Sequence, residues 1–135
     1  MKAISILLPY KENFSPEYAG AVSLYVKDTT LRSFYKNKIK VFGQTNYQKI
    51  FNLDYVNITL KKNLLKSGSK YYVDKFLEYE AKEKSDIIEI HNRPIYLKHI
   101  GKSRIDSKIV LYFHNDPLTM NGSKSIEDRV FLLNF

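Results

Sequence analysis

Two rhythms of apolar positions run along this chain. Residues 3–8 are an almost unbroken apolar run closed by Pro9, the pattern of a strand buried on both faces. A polar loop follows, and residues 21–34 then switch to helical spacing: Val22, Tyr25, Val26 and Thr29 fall near one face, with Leu24 and Leu31 alongside, and Asn37 is the expected helix end. Residues 39–42 read as a short second strand closed by Gly43, and residues 55–60 alternate as a third. After the break at Ser67-Gly68-Ser69, residues 71–84 return to helical spacing, with Val73, Phe76, Leu77 and Ala81 on one side. Residues 86–90 form the next strand. Residues 95–100 form a short helix that Pro94 opens and Gly101 ends, and residues 108–113 a further strand. Ser125-Ile126-Glu127-Asp128 resembles a capping box ahead of Val130-Phe131-Leu132-Leu133.

The order is therefore strand, helix, strand, strand, helix, strand, helix, strand, helix. Such alternation predicts an α/β fold: one Rossmann-like domain over residues 1–135, with a mostly parallel sheet flanked by helices on both faces in three α/β/α layers. In such sheets ligands bind beyond the carboxyl ends of the strands, where strand order reverses. The polar tails of the strands all fall at that edge.

Composition narrows the function classes. A chain of 135 residues is one ordinary domain, and the absence of cysteine excludes a disulfide framework or a thiolate metal site, which fits a reducing cytoplasm. The apolar start is too short for a signal sequence, since Pro9, Lys11 and Glu12 follow at once, and nothing approaches the roughly 18–20 apolar residues of a membrane span. The net charge of +8 has two readings: lysine on every solvated face, or attraction to an anionic membrane or substrate. Lysines cluster at Lys36-Asn37-Lys38-Ile39-Lys40 and at Lys61-Lys62, but no nucleic-acid-binding signature accompanies them, so nucleic acid is not among the expected partners.

Three loops would meet at the ligand edge. The first ends in Ala19-Gly20-Ala21 and leads straight into a helix. Gly20 there serves either close strand–helix packing or the approach of an anion to free amides. It lacks the spaced glycines of a dinucleotide fingerprint and the lysine of a P-loop. The second loop is Glu89-Ile90-His91-Asn92-Arg93-Pro94: its histidine suits a general base, a sugar-hydroxyl ligand or a phosphate ligand, its arginine suits phosphate, and His91 and Asn92 equally suit plain hydrogen bonding to the loop backbone. The third, His114-Asn115-Asp116-Pro117, repeats the pattern of the second, which points to one polar pocket built from both. Two histidines with Asp116 are also a metal-site rival, but no His-x-x-x-His or Cys cluster supports it, so no metal is expected. No Gly-x-Ser-x-Gly elbow supports a serine hydrolase.

These segments resemble family 4 glycosyltransferases across essentially the whole chain. The first strand with its Gly20-Ala21-Val22 helix entry, Asp86-Ile87-Ile88-Glu89-Ile90-His91 and Ile109-Val110-Leu111-Tyr112-Phe113-His114 carry the likeness. The resemblance implies the N-terminal, acceptor-side domain of a two-domain GT-B enzyme that transfers a sugar from a nucleotide-sugar donor to a glycan or lipid-linked acceptor, usually with retention, without an essential metal or cofactor. It implies His91 as the catalytic contact to the transferring sugar or acceptor hydroxyl. Asn92, Arg93, His114, Asn115 and Asp116 would shape the acceptor pocket, and Gly20 with Ala21 would meet the donor diphosphate. The donor-binding domain of the family has no counterpart in the sequence, and the common paired glycine is reduced to Ala19-Gly20. The expected protein is thus an incomplete acceptor domain whose apolar C-terminal segment needs a partner, a second copy or further chain. It would be cytoplasmic, at most peripheral to the inner membrane. A non-catalytic α/β module that binds a glycan or an anion is the alternative.

Overall fold

A computed structural model describes residues 3–61, 67–101 and 105–135. Five parallel strands form one sheet in the order β3-β2-β1-β4-β5: β1 (Ile4–Leu7), β2 (Ile39–Gly43), β3 (Tyr55–Asn57), β4 (Ile87–His91) and β5 (Lys108–Tyr112). Helices α1 (Ala21–Arg32), α2 (Gly68–Glu80) and α3 (Ile95–Ile100) connect strands, and α4 (Ile126–Leu133) follows β5. This is the expected three-layer, Rossmann-like α/β architecture.

The chain moves one way along the sheet from β1 to β3, then crosses to β4 and moves the other way. Right-handed crossovers send the helices of opposite moves to opposite faces. Accordingly α1 packs through Val22 and Val26 on Ile6, Leu8, Ile39 and Val41, with Phe14 of the β1–α1 loop in the same cluster. On the other face α2 and α3 place Tyr72, Val73, Phe76, Leu77, Tyr96 and Leu97 against Leu7, Phe42, Ile88 and Ile90, and α4 adds Phe131 and Leu132 there. Period-two alternation along the strands feeds both cores.

Three elements depart from their expected bounds by more than one residue. Helix α1 ends at Arg32 rather than near Asn37, because Ser33 turns extended and accepts from the Tyr35 amide; Asn37 lies in a short 3-10 turn instead. The third strand closes after three residues, because Asn57 turns its side chain to the backbone of Thr45. Helix α2 begins earlier, at Gly68, where the Ser67 hydroxyl accepts from the Lys70 amide, and it stops at Glu80. Its inner face carries Glu80, not Ala81, which is exposed. The Glu80 carboxylate is buried, and it accepts from Ser5 Oγ at 2.5 Å, Ser85 Oγ at 2.8 Å and Ser85 N at 3.1 Å. That network ties the end of α2 to β1 and to the entry of β4. The capping box forms as read, with Ser125 Oγ accepting from the Asp128 amide at 3.0 Å.

The start of the β1–α1 loop is also pinned from below. Tyr72, wholly buried on α2, donates to the Leu8 carbonyl at 2.9 Å, and Tyr96 on α3 accepts from the Tyr10 amide at 2.7 Å. Burial pushes the Tyr96 phenol up to about 12, so it stays neutral in this role.

Candidate functional site

The switch in strand order lies between β1 and β4, and His91 is the last residue of β4 beside it. Its parallel partner in β5 is Tyr112, so both side chains emerge on the α1 face of the sheet, and the rings stack with centroids 4.7 Å apart and planes 3° from parallel. His114, two residues beyond Tyr112, brings its Nε2 to 2.9 Å from His91 Nδ1. Tyr25 of α1 closes the group from above, edge-on to His114 at 4.9 Å. His91 is only 1% exposed, whereas His114 is exposed at the surface. The outermost nitrogen of the pair therefore belongs to His114.

The backbone between the two loops is built to hold this pairing. Asn92 adopts a positive φ of 58°, a conformation asparagine tolerates better than most residues. Its amide donates to the Tyr112 carbonyl at 2.7 Å, and its Oδ1 accepts from the His114 amide at 3.2 Å. Asn92 thus staples the end of β4 to the end of β5. The inner edge of His91 faces Glu89, two residues earlier on the same strand face. His91 Nε2 lies 3.5 Å from Glu89 Oε2, within ion-pair range but without a formed hydrogen bond, and it is a buried nitrogen with no hydrogen-bond partner.

The single pocket expected from the two His-Asn loops is divided between the sheet faces. The positive φ of Asn92 turns the chain under the sheet. Asn92, Arg93 and Asn115 consequently line a separate cleft of about 470 Å³, with Tyr10, Tyr96 and Asn121. One Arg93 guanidinium nitrogen already donates to the Asn92 carbonyl at 2.8 Å. Asp116 is used locally: its carboxylate accepts from the Leu118 amide at 2.9 Å and caps a 3-10 turn. Among the described residues no group of three or more His, Cys, Asp or Glu could hold a metal ion.

Gly20 and Ala21 open α1 as read, but the amides there face a resident anion. A Cβ on Gly20 would lie 1.9 Å from Glu12 Oε1, and that oxygen accepts from the Ser23 amide at 3.1 Å. Gly20 has an ordinary extended φ of −75°, so the glycine serves the close approach of the Glu12 side chain. A diphosphate arriving at this helix end meets a carboxylate unless Glu12 swings away. Glu12 also reaches the histidines. The His114 ring is held below its ordinary value of 6.5 by partial burial and by its His91 neighbour, with Glu12 acting the opposite way.

Glu12, Tyr25, Glu89 and Tyr112 are site residues to which the sequence reading gave no role. Two of them carried a usable signal, because residues two apart on a strand share a face: Glu89 with His91, and Tyr112 with the approach to His114. Glu12 and Tyr25 come from a loop and a helix whose placement no local pattern announces.

No helix of the described residues is long and apolar enough to cross a membrane. No family model matches the chain, and no curated protein or solved structure is significantly similar to it.

Proposed function

We propose that this chain is the acceptor-binding portion of a nucleotide-sugar-dependent glycosyltransferase. The observation that supports the reading best is the pairing of buried His91 with exposed His114 at the carboxyl edge of β4 and β5, beside the switch in strand order. Sugars bring hydroxyl groups and an apolar ring face. The exposed His114 ring, the Glu12 carboxylate near it and the Tyr25 and Tyr112 rings around it answer both. In this reading the pair receives an acceptor hydroxyl, and Arg93 with Asn115 in the neighbouring cleft holds a more distant, polar part of the acceptor. The donor is held by a second domain, supplied by further chain or by a partner. The basic surface favours peripheral contact with an anionic membrane where lipid-linked acceptors lie.

Glu12 favours the second reading, a non-catalytic module that holds a glycan, because it occupies the helix end where a donor diphosphate would sit. The two readings separate in one titration. The histidine ring signals are followed by NMR as methyl glycosides and then nucleotide sugars are added. The glycosyltransferase reading expects both classes to perturb His91 and His114, with the nucleotide sugar strengthened in Glu12→Gln. A response to glycosides alone, unchanged in Glu12→Gln, leaves the binding module. No response to either sinks both.

A further inference from the structure

The two histidines form one hydrogen bond between ring nitrogens, and such a bond needs one protonated and one bare nitrogen. Two proton orders satisfy it. In the first, His91 carries its proton on Nδ1 and donates to His114. Its Nε2 lone pair is then buried, facing the Glu89 carboxylate at 3.5 Å, acceptor against acceptor. In the second, His91 carries its proton on Nε2 toward Glu89, and its Nδ1 accepts from Nε2–H of His114. Attraction between Glu89 and a proton on the buried Nε2, which water does not reach, selects the second. The ring cannot flip to escape this choice, because it is stacked on Tyr112 and 1% exposed.

We propose that Glu89 acts as a positioning residue that fixes this proton order, so that Nδ1 of His114 is left bare at the mouth of the site to accept a hydrogen bond from a neutral, hydroxyl-bearing ligand. The proton order rests on the geometry alone; taking the hydroxyl to be that of a glycan rests on the proposed function. The groups facing the pair agree with a hydroxyl donor as ligand. Glu12 from the β1–α1 loop and Glu89 from β4 offer carboxylate acceptors, and Tyr25 from α1 and Tyr112 from β5 offer phenols. None of these groups is a cation that would draw an anion to His114. Tyr112 feels the same carboxylate: Glu89 raises its phenol above the ordinary range, and burial adds to it.

The test is long-range proton–nitrogen NMR of the nitrogen-labelled wild-type chain at neutral pH, which separates protonated from bare ring nitrogens. The expected result is Nε2 protonated and Nδ1 bare in both His91 and His114. His91 protonated on Nδ1 overturns the proposal outright. In Glu89→Gln the neutral amide can donate or accept, so both proton orders become allowed, and the Nδ1 signals of both rings should move to intermediate positions. A fixed order in that variant overturns the role of Glu89, because something else then sets it. Addition of methyl glycosides should shift Nδ1 of His114 at neutral pH and lose that effect once His114 is protonated. A shift with inorganic pyrophosphate and none with glycosides overturns the neutral-ligand assignment. The stated proton order with no glycoside response overturns the ligand class, and with it the glycan reading of the site, while the proton order itself stands.

Discussion

Two buried polar side chains sit at opposite ends of the same sheet, and they are treated in opposite ways. Glu80, near the amino end of the strands, is surrounded by donors: two serine hydroxyls and a backbone amide meet its two oxygens. His91, at the carboxyl end, keeps one ring nitrogen without a hydrogen bond and shares the other with a histidine that opens to solvent. A buried polar group that is fully met holds a fold together, whereas one left partly unmet costs stability and persists only where something else compensates. The hydroxyls of Ser23 and Thr30 on α1 and the Gln44 amide oxygen are also buried without partners, but a hydroxyl can rotate and an amide can turn over, whereas a stacked ring cannot. The contrast separates a structural carboxylate from a histidine suited to chemistry.

The contrast is sharpened most by removing Glu80. Glu80→Ala strands the hydroxyls of Ser5 and Ser85 and the Ser85 amide in the core, and we expect a loss of about 3 kcal/mol in urea unfolding followed by circular dichroism. A loss below about 1 kcal/mol would mean that water reaches this end of the sheet and that the contrast with His91 is false.

Gly122 comes next, because it supports the cleft side of the site. Its φ is +92°, and a Cβ there would lie 2.5 Å from the backbone nitrogen of Ile95, at the start of α3. Backbone cannot yield as the Glu12 side chain can at Gly20. Gly122→Ala is therefore expected to cost about 2 kcal/mol and to displace Asn121 and Met120 from the Arg93 cleft, while Gly20→Ala costs less. Equal losses in the two variants would show that Glu12 is as immovable as backbone.

The ease of reading followed how local each cause is. Element order and both cores were legible, because alternation in strands and the helical spacing of Val73, Phe76 and Leu77 report burial directly. Glu80 was not, since a carboxylate on an apolar face reads as an error until Ser5 and Ser85 are seen beside it. His91 and His114 were legible as strand-end residues, and the structure brings them together. The division of their loops between two sheet faces was not legible, because it turns on one dihedral angle at Asn92 that its residue type permits but does not dictate. The helix entry at Gly20 was read as a place of close approach, but a side chain eight positions earlier makes that approach.

His91 itself gives the converse of the Glu80 experiment. Replacing it with phenylalanine keeps the stack on Tyr112 and removes the unmet Nε2, while His114, being exposed, can turn to water. The change in stability should stay within about 1 kcal/mol in either direction, and the perturbation of His114 by methyl glycosides should disappear. A loss as large as that of Glu80→Ala would make His91 a second structural group and would dissolve the contrast between the two ends.

The smallest effect lies in the response to pH. The His114 ring is held below 6.5 in the folded chain, first by partial burial and then by His91, so the unfolded chain takes up this proton at a higher pH. The unfolded state binds more protons in that interval, and stability must rise with pH across it. The contribution is complete above about pH 6.5 and is lost as pH falls through the folded value. His99 acts in the same direction through burial and the charge of Lys70, with Asp74 opposing. The carboxylates of Asp28, Glu83 and Asp128, held low by lysine partners, lose their contribution only in a more acid range, starting from ordinary values of 3.8 to 4.5. A shallow decline in stability between neutrality and the carboxylate range therefore belongs to the histidines. It should flatten in part in His114→Gln and further when His99→Gln is added. An unchanged slope in the double variant would show that the ring at the mouth of the site titrates as it does in water, and that its lone pair is no better placed in the folded chain than in the unfolded one.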